Sequence, residues 1–383
     1  MSSSDYKPVV SRVDMRRLDA FTIEAGTESL ALMELAGGRI AAYLLAHAEE
    51  LTGSEEDEDH VYSLLVATGP GNNGGDGFVV ARLLAEQGWH PVVAICGTPP
   101  EPDTDAGVNL QRWQECDGEV IGVSDCLDLL RNRDDSADII LDCLFGTGLH
   151  RPLEGVQAEL VTQINDSGLP VVACDMPSGL CADTGRPLGV AVVADATVTI
   201  GAAKPGLFVG LGPDHSGRVT IADIGLKSPE QASVEPIGRV IDDEYSELLV
   251  PHRRGTTHKG QLGHVLVVGG GAGTTGAALL SAMGALRAGA GLTTMAVPSS
   301  LAPTTDAALP EAMTIGLADD GSGNVGADAW RALSATAERC EVAAVGPGLG
   351  TGPGAESLVR GMISGFAGAL VLDADALLSL IHI

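Results

Sequence analysis

Three loops of this sequence concentrate amide, carboxylate and hydroxyl groups, which can bind a cation or move a proton. Each loop follows a short apolar run, and they are GPGNNGGDG (69–77), DCLFGTGLHRPLEG (142–155) and CDMPSGLCADTG (174–185). In a parallel sheet all three loops would emerge at the carboxyl edge, where α/β proteins bind their ligands. We therefore expect Asn73, Asp142, Asp175 and Ser178 to lie close together, although each aspartate alone could be a helix cap.

The residue types in these loops suggest two kinds of chemistry. Amide, carboxylate and hydroxyl oxygens suit a hard cation, and no His/Cys cluster indicates zinc. Glycines and a helix N-terminus favour an anion near backbone N–H groups, with Arg151 as a further phosphate ligand. His150 is either a proton carrier or a solvated loop residue. Asp175, which ends an apolar strand, is our preferred acid–base group.

The elements around these loops alternate between β-branched runs and helical stretches, which predicts an α/β protein with parallel strands and helices on both faces. Helical spacing over residues 11–48 predicts two helices before the sheet. Seven strands are predicted at 62–68, 91–96, 119–123, 138–143, 170–174, 196–200 and 218–224. A second unit has predicted strands at 263–268, 291–297, 341–345 and 369–372, with helices at 275–288 and around 355–363.

Bulk composition limits the function classes. A length of 383 residues predicts two domains, which we place at residues 1–240 and 241–383. The net charge of −29 argues against nucleic-acid binding. No secretory signal and no uncharged apolar run of membrane-spanning length is visible, so we expect a cytoplasmic protein without a membrane partner. Seven cysteines without CxxC spacing are expected to be small buried hydrophobes, as at Cys96, Cys143 and Cys174.

Three segments, NNGGDGFVVARLL, LDCLFGTGLHRPLEG and ACDMPSGLCADTG, with MELAG upstream, resemble the YjeF N-terminal domain family of NAD(P)H-hydrate epimerases. This resemblance covers about residues 11–230 and implies a Rossmann-like doubly wound sheet, usually in a homodimer. It implies that the R and S epimers of hydrated NADH or NADPH interconvert by loss and re-addition of a hydroxyl group. It also implies K⁺ held by Asn73, Asp142 and Ser178. The implied substrate contacts are Asn72, Asn73, Gly74, Gly75, Asp76, Gly146, Thr147, Gly148, Leu149, His150, Arg151, Pro152 and Asp175.

The second unit contains GAGTTG (271–276), a formal GxGxxG between a strand and a helix. An NAD-dehydrogenase fingerprint needs an acidic residue about 20 positions further on, but the next one here is Asp306. The segments HKGQLGHVLVVGG, TGAALLSAMGALRAGAGL, VGPGLGTG and VLDADAL instead resemble the ADP/ATP-dependent NAD(P)H-hydrate dehydratase domain, which is ribokinase-like. That resemblance implies ADP or ATP as cofactor, and Ala277 and Gly350 in the hydrate pocket.

The dehydratase resemblance is incomplete along this sequence. The HPGE segment, the KGxxT nucleotide loop and the GGSGD helix start of that family do not occur. We therefore expect a partial ribokinase-like domain without dehydratase activity, and an active epimerase domain. The alternatives are a ribokinase-type small-molecule kinase and a non-catalytic nucleotide-binding module. Epimer exchange without ATP would favour the repair enzyme, and binding alone would favour the module.

Overall fold

The computed structural model describes residues 7–53, 60–132, 137–250 and 253–380. The chain divides into two compact units, residues 1–250 and 251–383, whereas the sequence predicts a boundary after residue 240. Strand β1 (Lys7–Val9) pairs antiparallel with β9 (Gly238–Val240), which ties the end of the first unit to its beginning. Lys7 also forms an ion pair of 2.6 Å with Asp242, the residue that caps helix α8 (Asp243–Leu249).

A seven-stranded parallel sheet forms the centre of the first unit, in the order β4-β3-β2-β5-β6-β7-β8. Its strands are β2 (Ser63–Thr68), β3 (His90–Ile95), β4 (Glu119–Gly122), β5 (Ile139–Cys143), β6 (Val171–Cys174), β7 (Ala196–Ile200) and β8 (Arg218–Ala222). These are the seven predicted strands. The chain leaves β2 toward one edge and returns at β5 to build the other, so the strand order reverses between β2 and β5. Open α/β sheets bind ligands at such a switch point.

Helices cover both faces of this sheet, as the resemblance implies. They are α1 (Arg12–Glu24), α2 (Ser29–Thr52), α3 (Asn72–Glu86), α4 (Asp105–Glu115), α5 (Val123–Asn132), α6 (Gly155–Asp166) and α7 (Gly212–Ser216). Leu64 of β2 joins a buried cluster with Leu84 of α3. Leu65, the next residue of the strand, joins a second cluster with Leu160 of α6. Because successive strand residues point to opposite faces, this alternation gives the sheet two apolar cores. The doubly wound α/β prediction is confirmed.

Several cysteines and the long apolar helix α2 contribute to the core of the protein. All seven cysteines are free, and Cys96, Cys143 and Cys174 are buried, as expected of small hydrophobes. Within the described ranges, α2 has the length and apolar composition to cross a membrane, and 44% of its apolar window is buried inside the protein. Ile40 and Leu44 of α2 are completely buried in the core, so α2 acts here as a core helix.

The second unit is built on a five-stranded parallel sheet in the order β12-β11-β10-β13-β14. Its strands are β10 (His264–Val268), β11 (Leu292–Pro298), β12 (Met313–Leu317), β13 (Val342–Val345) and β14 (Ala369–Leu372). Its helices are α9 (Thr275–Ala288), α10 (Ala302–Ala308), α11 (Ala329–Ala337), α12 (Pro353–Gly365) and α13 (Asp375–Leu380). Sequence reasoning missed β12, an edge strand interrupted by Gly316, and the short helices α10 and α11; α11 buries one large apolar residue, Leu333, between Ala329 and Ala337.

Core packing in the first unit gives a stability prediction. Leu84 of α3 is 0% exposed, whereas Leu35 of α2 is 48% exposed. We expect Leu84→Ala to lower the free energy of unfolding by about 2–5 kcal/mol, because it removes apolar contacts and leaves a cavity. The matched variant Leu35→Ala should change it by less than about 1 kcal/mol. Urea denaturation followed by circular dichroism measures both, and equal losses would contradict this assignment of the core.

Candidate functional site

A cavity of about 570 Å³ lies within the first unit, bordered by the loops that follow β2, β5 and β6. Helices α1 and α2 close it from the other side, through residues such as Asp19 and Met33. This volume falls in the range that holds a small organic ligand. Of the residues proposed from sequence, the walls include Asn72, Asn73, Asp76, Gly146, Thr147, Gly148, Leu149, His150, Arg151 and Asp175.

Three residues implied as substrate contacts lie outside these walls. A methyl group on Gly74 would come 2.1 Å from the Gly69 carbonyl oxygen, and one on Gly75 would come 2.6 Å from Met33 Sδ. Both glycines are buried inside the packing of α3, so they allow close approach of backbone and helix rather than contact with the cavity. Pro152 is exposed and does not line the cavity.

Gly146 marks the point where two predicted site residues meet. A methyl group on Gly146 would lie 3.0 Å from Asn73 Oδ1 and 3.0 Å from Asp175 Oδ2. The amide oxygen and the carboxylate oxygen therefore flank the same glycine, although Asn73 follows β2 and Asp175 follows β6. A side chain at position 146 would occupy the space between them.

Asp175 is held in an uncommon backbone conformation by several partners. Its φ is +68°, a left-handed conformation that non-glycine residues adopt mostly at turns and functional sites. Its amide donates to the Val198 carbonyl at 2.9 Å. Its Oδ1 accepts a hydrogen bond from the Ile200 amide at 3.1 Å and forms an ion pair with Lys204 Nζ. No described residue donates a hydrogen bond to Oδ2, the atom beside Gly146, so one oxygen is fixed while the other faces the cavity.

Lys204 is a site residue that sequence reasoning missed, as it also missed Asp19 of the cavity lining. Its side chain is 1% exposed, and Nζ also donates to Thr199 Oγ1 at 3.0 Å and to the Ile200 carbonyl at 2.7 Å. Three partners therefore compensate a cation that burial would otherwise strongly disfavour. A signal was present in the sequence, because the chain has only four lysines and Lys204 follows the apolar strand β7.

Asp142 and Ser178 form a buried network behind the cavity wall. Ser178 donates its hydroxyl to Asp142 Oδ1 at 2.6 Å and its amide to Oδ2 at 2.7 Å. The Leu144 amide adds a third donor at 3.2 Å, and the Phe145 amide donates to Ser178 Oγ at 2.8 Å. Burial raises the pKa of Asp142 to about 6 in spite of these hydrogen bonds. Among the described residues no cationic side chain pairs with this carboxylate.

Asn73 contributes an unpaired polar atom to the same region. Its Nδ2 is buried and has no hydrogen-bond partner among the described residues. Buried side-chain amides normally have partners, so an orphan of this kind indicates a missing ligand or water. The described part of the chain contains no group of three His, Cys, Asp or Glu side chains that could hold a metal ion. A cation here would therefore depend on amide, hydroxyl and backbone oxygens beside one carboxylate.

Two further carboxyl groups, Asp76 and Asp19, line the cavity. Burial, together with the negative charges of Asp175 and Asp19, raises the pKa of Asp76 well above its usual value. Burial also raises the pKa of Asp19 to about 6, although the positive charge of Lys204 partly lowers this pKa. Asp19, Asp76, Asp175 and Lys204 are thus in electrostatic contact within one cavity, and Asp105 is a fourth carboxyl group of its lining.

In the second unit, Ala277 and Gly350 lie near the switch point between β10 and β13. A methyl group on Gly348 would come 3.1 Å from Ala277 Cβ, and Thr274 Oγ1 donates to the Gly348 carbonyl at 2.7 Å. The Gly350 amide donates to Asp375 Oδ2 at 2.8 Å. The glycine loops that follow β10 and β13 therefore lie side by side at the carboxyl edge of this sheet.

Two protein-family models match the chain, one in each unit. The model described as the YjeF-related protein N-terminus matches residues 29–206, which includes the loops that follow β2, β5 and β6. The model described as NAD(P)H-hydrate dehydratase matches residues 265–382. The expected loss of dehydratase activity stays a prediction.

The chain is also similar to individual relatives and solved structures over one or both units. The bifunctional NAD(P)H-hydrate repair enzyme Nnr of Moorella thermoacetica is 35% identical over 96% of this chain and 69% of its own length. A solved yeast protein, ynu0, matches 62% of this chain and 98% of its own, with 24% identity and a TM-score of 0.48. The ADP/ATP-dependent NAD(P)H-hydrate dehydratase of Bacillus subtilis matches 36% of this chain and 46% of its own, with 28% identity and a TM-score of 0.29. Because the similarity to the Moorella enzyme runs through both units, this chain belongs to the family of bifunctional NAD(P)H-hydrate repair enzymes.

Proposed function

We propose that the first unit interconverts the R and S epimers of hydrated NADH and NADPH, with Asp175 as an acid–base group. The observation that carries this proposal is the asymmetric environment of the Asp175 carboxylate. Lys204 and the Ile200 amide bind Oδ1, while Oδ2 faces the cavity beside Asn73 and Gly146. A carboxylate held on one side and free on the other can exchange a proton with a ligand in the cavity.

The proposed chemistry is loss and re-addition of water at the hydrated ring carbon. The C–O bond breaks as an acid protonates the departing hydroxyl, and the ring nitrogen donates its lone pair to form a C=N⁺ bond. Water then adds to the other face, a base removes its proton, and the nitrogen regains its electron pair. No redox step is needed. Asp175 Oδ2 serves one of these proton transfers, and the buried surroundings limit competing reactions with bulk water.

Binding of the dinucleotide is proposed for the exposed rim of the cavity. Asn72 begins α3 at this rim, so the first N–H groups of a 15-residue helix are available to a phosphate. Arg151 lies in the loop that follows β5, lines the cavity and is exposed. Its guanidinium can therefore form a bidentate contact with a phosphate. His150 is exposed and contacts the Gly148 carbonyl at 3.1 Å, which suits a binding role more than proton transfer. A cytoplasmic homo-oligomer is the proposed working form.

We propose that K⁺ binds near Asn73, Asp142 and Ser178. The donor set fits a hard monovalent cation, because it combines a buried carboxylate that has no cationic partner with the Ser178 hydroxyl oxygen and the Asn73 amide oxygen. The ion would neutralise Asp142 and fix the loops that follow β2 and β5. Its chemical contribution would be electrostatic, as a positive charge close to the cavity.

In the second unit, the crevice beside Ala277 and Gly350 is the proposed hydrate site of the dehydratase domain. Its reaction would use ADP or ATP as cofactor. We expect the first unit to exchange epimers without ATP.

The first prediction of this proposal concerns Asp175. Asp175→Asn keeps the size of the side chain but cannot accept and return a proton, so we expect epimer exchange to slow by about 10²- to 10⁴-fold. Chromatographic separation of the R and S hydrates over time measures the exchange. Asp128→Asn, at an exposed carboxylate on α5, is the matched control and should be unaffected. Exchange at the wild-type rate in Asp175→Asn would remove Asp175 from the mechanism.

The second prediction concerns Lys204, which we propose as a positioning residue for Asp175. Lys204→Met leaves a buried carboxylate without its cation, so we expect the free energy of unfolding to fall by about 3–5 kcal/mol. We also expect kcat to fall while KM changes little. The double variant Lys204→Met/Asp175→Asn should exchange epimers no more slowly than Asp175→Asn alone. Rate losses that multiply in the double variant would show that Lys204 acts independently, and Lys227→Met is the control.

The third prediction concerns the cation. Replacing K⁺ by choline should lower the melting temperature of the wild-type protein, because a ligand that binds only the folded state stabilises it by about 2.7 kcal/mol at 100 times its Kd. Asp142→Asn should abolish this K⁺ dependence, whereas Asp128→Asn should retain it. A melting temperature that is identical in the two salts for the wild-type protein would count against the site.

A further inference from the structure

We propose that Asp19 is the second acid–base residue of epimer exchange and serves the ring face that Asp175 does not reach. This inference rests on the proposed function of the first unit. Asp19 belongs to α1, which lies before the range matched by the YjeF-related family model, residues 29–206. It nevertheless lines the same cavity as Asp175 and Lys204.

The stereochemistry of the reaction requires proton transfer on both faces of the ring. Epimerisation inverts one carbon, so water that leaves from one face must be matched by water that adds to the other. A carboxyl group can assist only on the face that it contacts. Asp175 cannot swing between faces, because Lys204 and the Ile200 amide hold its Oδ1. A second carboxyl group from a separate element meets this requirement.

Asp19 has the surroundings of a group available for such a step. It is half-buried, and no described residue forms a hydrogen bond or an ion pair with its carboxylate. Its neighbours on the cavity-facing side of α1 are Met15 and Ile23, one turn before and after it. A carboxyl group in a partly apolar wall, without a structural partner, has no evident role in stabilising the fold and is free to contact a ligand.

Asp76, another carboxyl group in the cavity, is a weaker candidate. It is 6% exposed and lies inside α3, with the Cys174 thiol 4.0 Å from its Oδ2. Asp19 therefore has better access to a ring in the cavity. The charged and titratable side chains that line the cavity with Asp19 are Arg16, Asp76, Asp105, His150, Arg151, Asp175 and Lys204.

The electrostatic surroundings support two different roles for the two carboxyl groups. Asp175 is paired directly with the lysine, whereas Asp19 lies further from it and has a pKa raised to about 6, mainly by burial. Below that pH Asp19 carries a proton that it can donate to the departing hydroxyl, and it loses that proton as the pH rises through about 6. Pairs of carboxyl groups in different environments commonly divide acid and base work in this way.

The test compares Asp19→Asn with Asp19→Glu and with Glu24→Gln, which removes the same charge from an exposed position of α1. Epimer exchange is followed in the full chain from about pH 5 to about pH 8, and the enzyme-free rate is subtracted. We expect Asp19→Asn to lower kcat by about 10²-fold or more with little change in KM. We expect the wild-type rate to fall as the pH rises through about 6, and Asp19→Asn should remove this fall. Asp19→Glu should restore part of the rate, and Glu24→Gln should match the wild type.

The outcomes separate this inference from the function on which it rests. If the wild-type chain exchanges epimers and Asp19→Asn does so with equal kcat and an unchanged pH profile, the role of Asp19 is overturned while the epimerase function stands. If the wild-type chain does not exchange epimers, both are overturned. Melting temperatures of all variants identify misfolding, and a folded Asp19→Asn protein with a slow, pH-flat rate supports the inference.

Discussion

The ion pair between Lys204 and Asp175 is the interaction on which the candidate site depends. Two opposite charges at the carboxyl edge of a sheet can be buried only if each has a partner and further hydrogen bonds. The Ile200 and Thr199 groups provide those bonds. This arrangement requires β6 and β7 to be adjacent, which makes the strand order part of the chemistry. It also fixes one carboxylate oxygen, so that only Oδ2 can act on a ligand.

Close backbone approach is the second constraint on the site. The turn after β2 packs so tightly that a methyl group on Gly69 would lie 2.0 Å from the Leu144 carbonyl oxygen of the loop after β5. The two loops on either side of the switch point are therefore held against each other. Gly146 then leaves the gap in which the Asn73 amide and the Asp175 carboxylate face one another. Glycine in these loops serves packing at positions 69 and 74 and cavity space at position 146.

Helices and strands were predicted correctly where the apolar periodicity of the sequence was strong. All seven strands of the first sheet were predicted, because each combines β-branched residues with turn residues at its ends. The edge strand β12, with Gly316 inside it, lacked that signal, and the nine-residue helix α11 buries one large apolar residue, Leu333, among alanines such as Ala329. The glycine-rich loops identified most of the cavity wall. They also suggested Gly74 and Gly75 as ligand contacts, which the structure places inside the packing of α3 instead.

The sequence by itself determined the α/β class, the two units and the polar loops at the carboxyl edge, because these follow from local periodicity and from short motifs. Only the tertiary structure decided which charges meet. Lys204 reaches Asp175 across 29 residues, and Asp19 enters the same cavity from a helix that precedes every strand of the sheet. Burial and partner charges depend on how distant segments pack, so the acidity of Asp19, Asp76 and Asp142 could not be read from their positions in the chain.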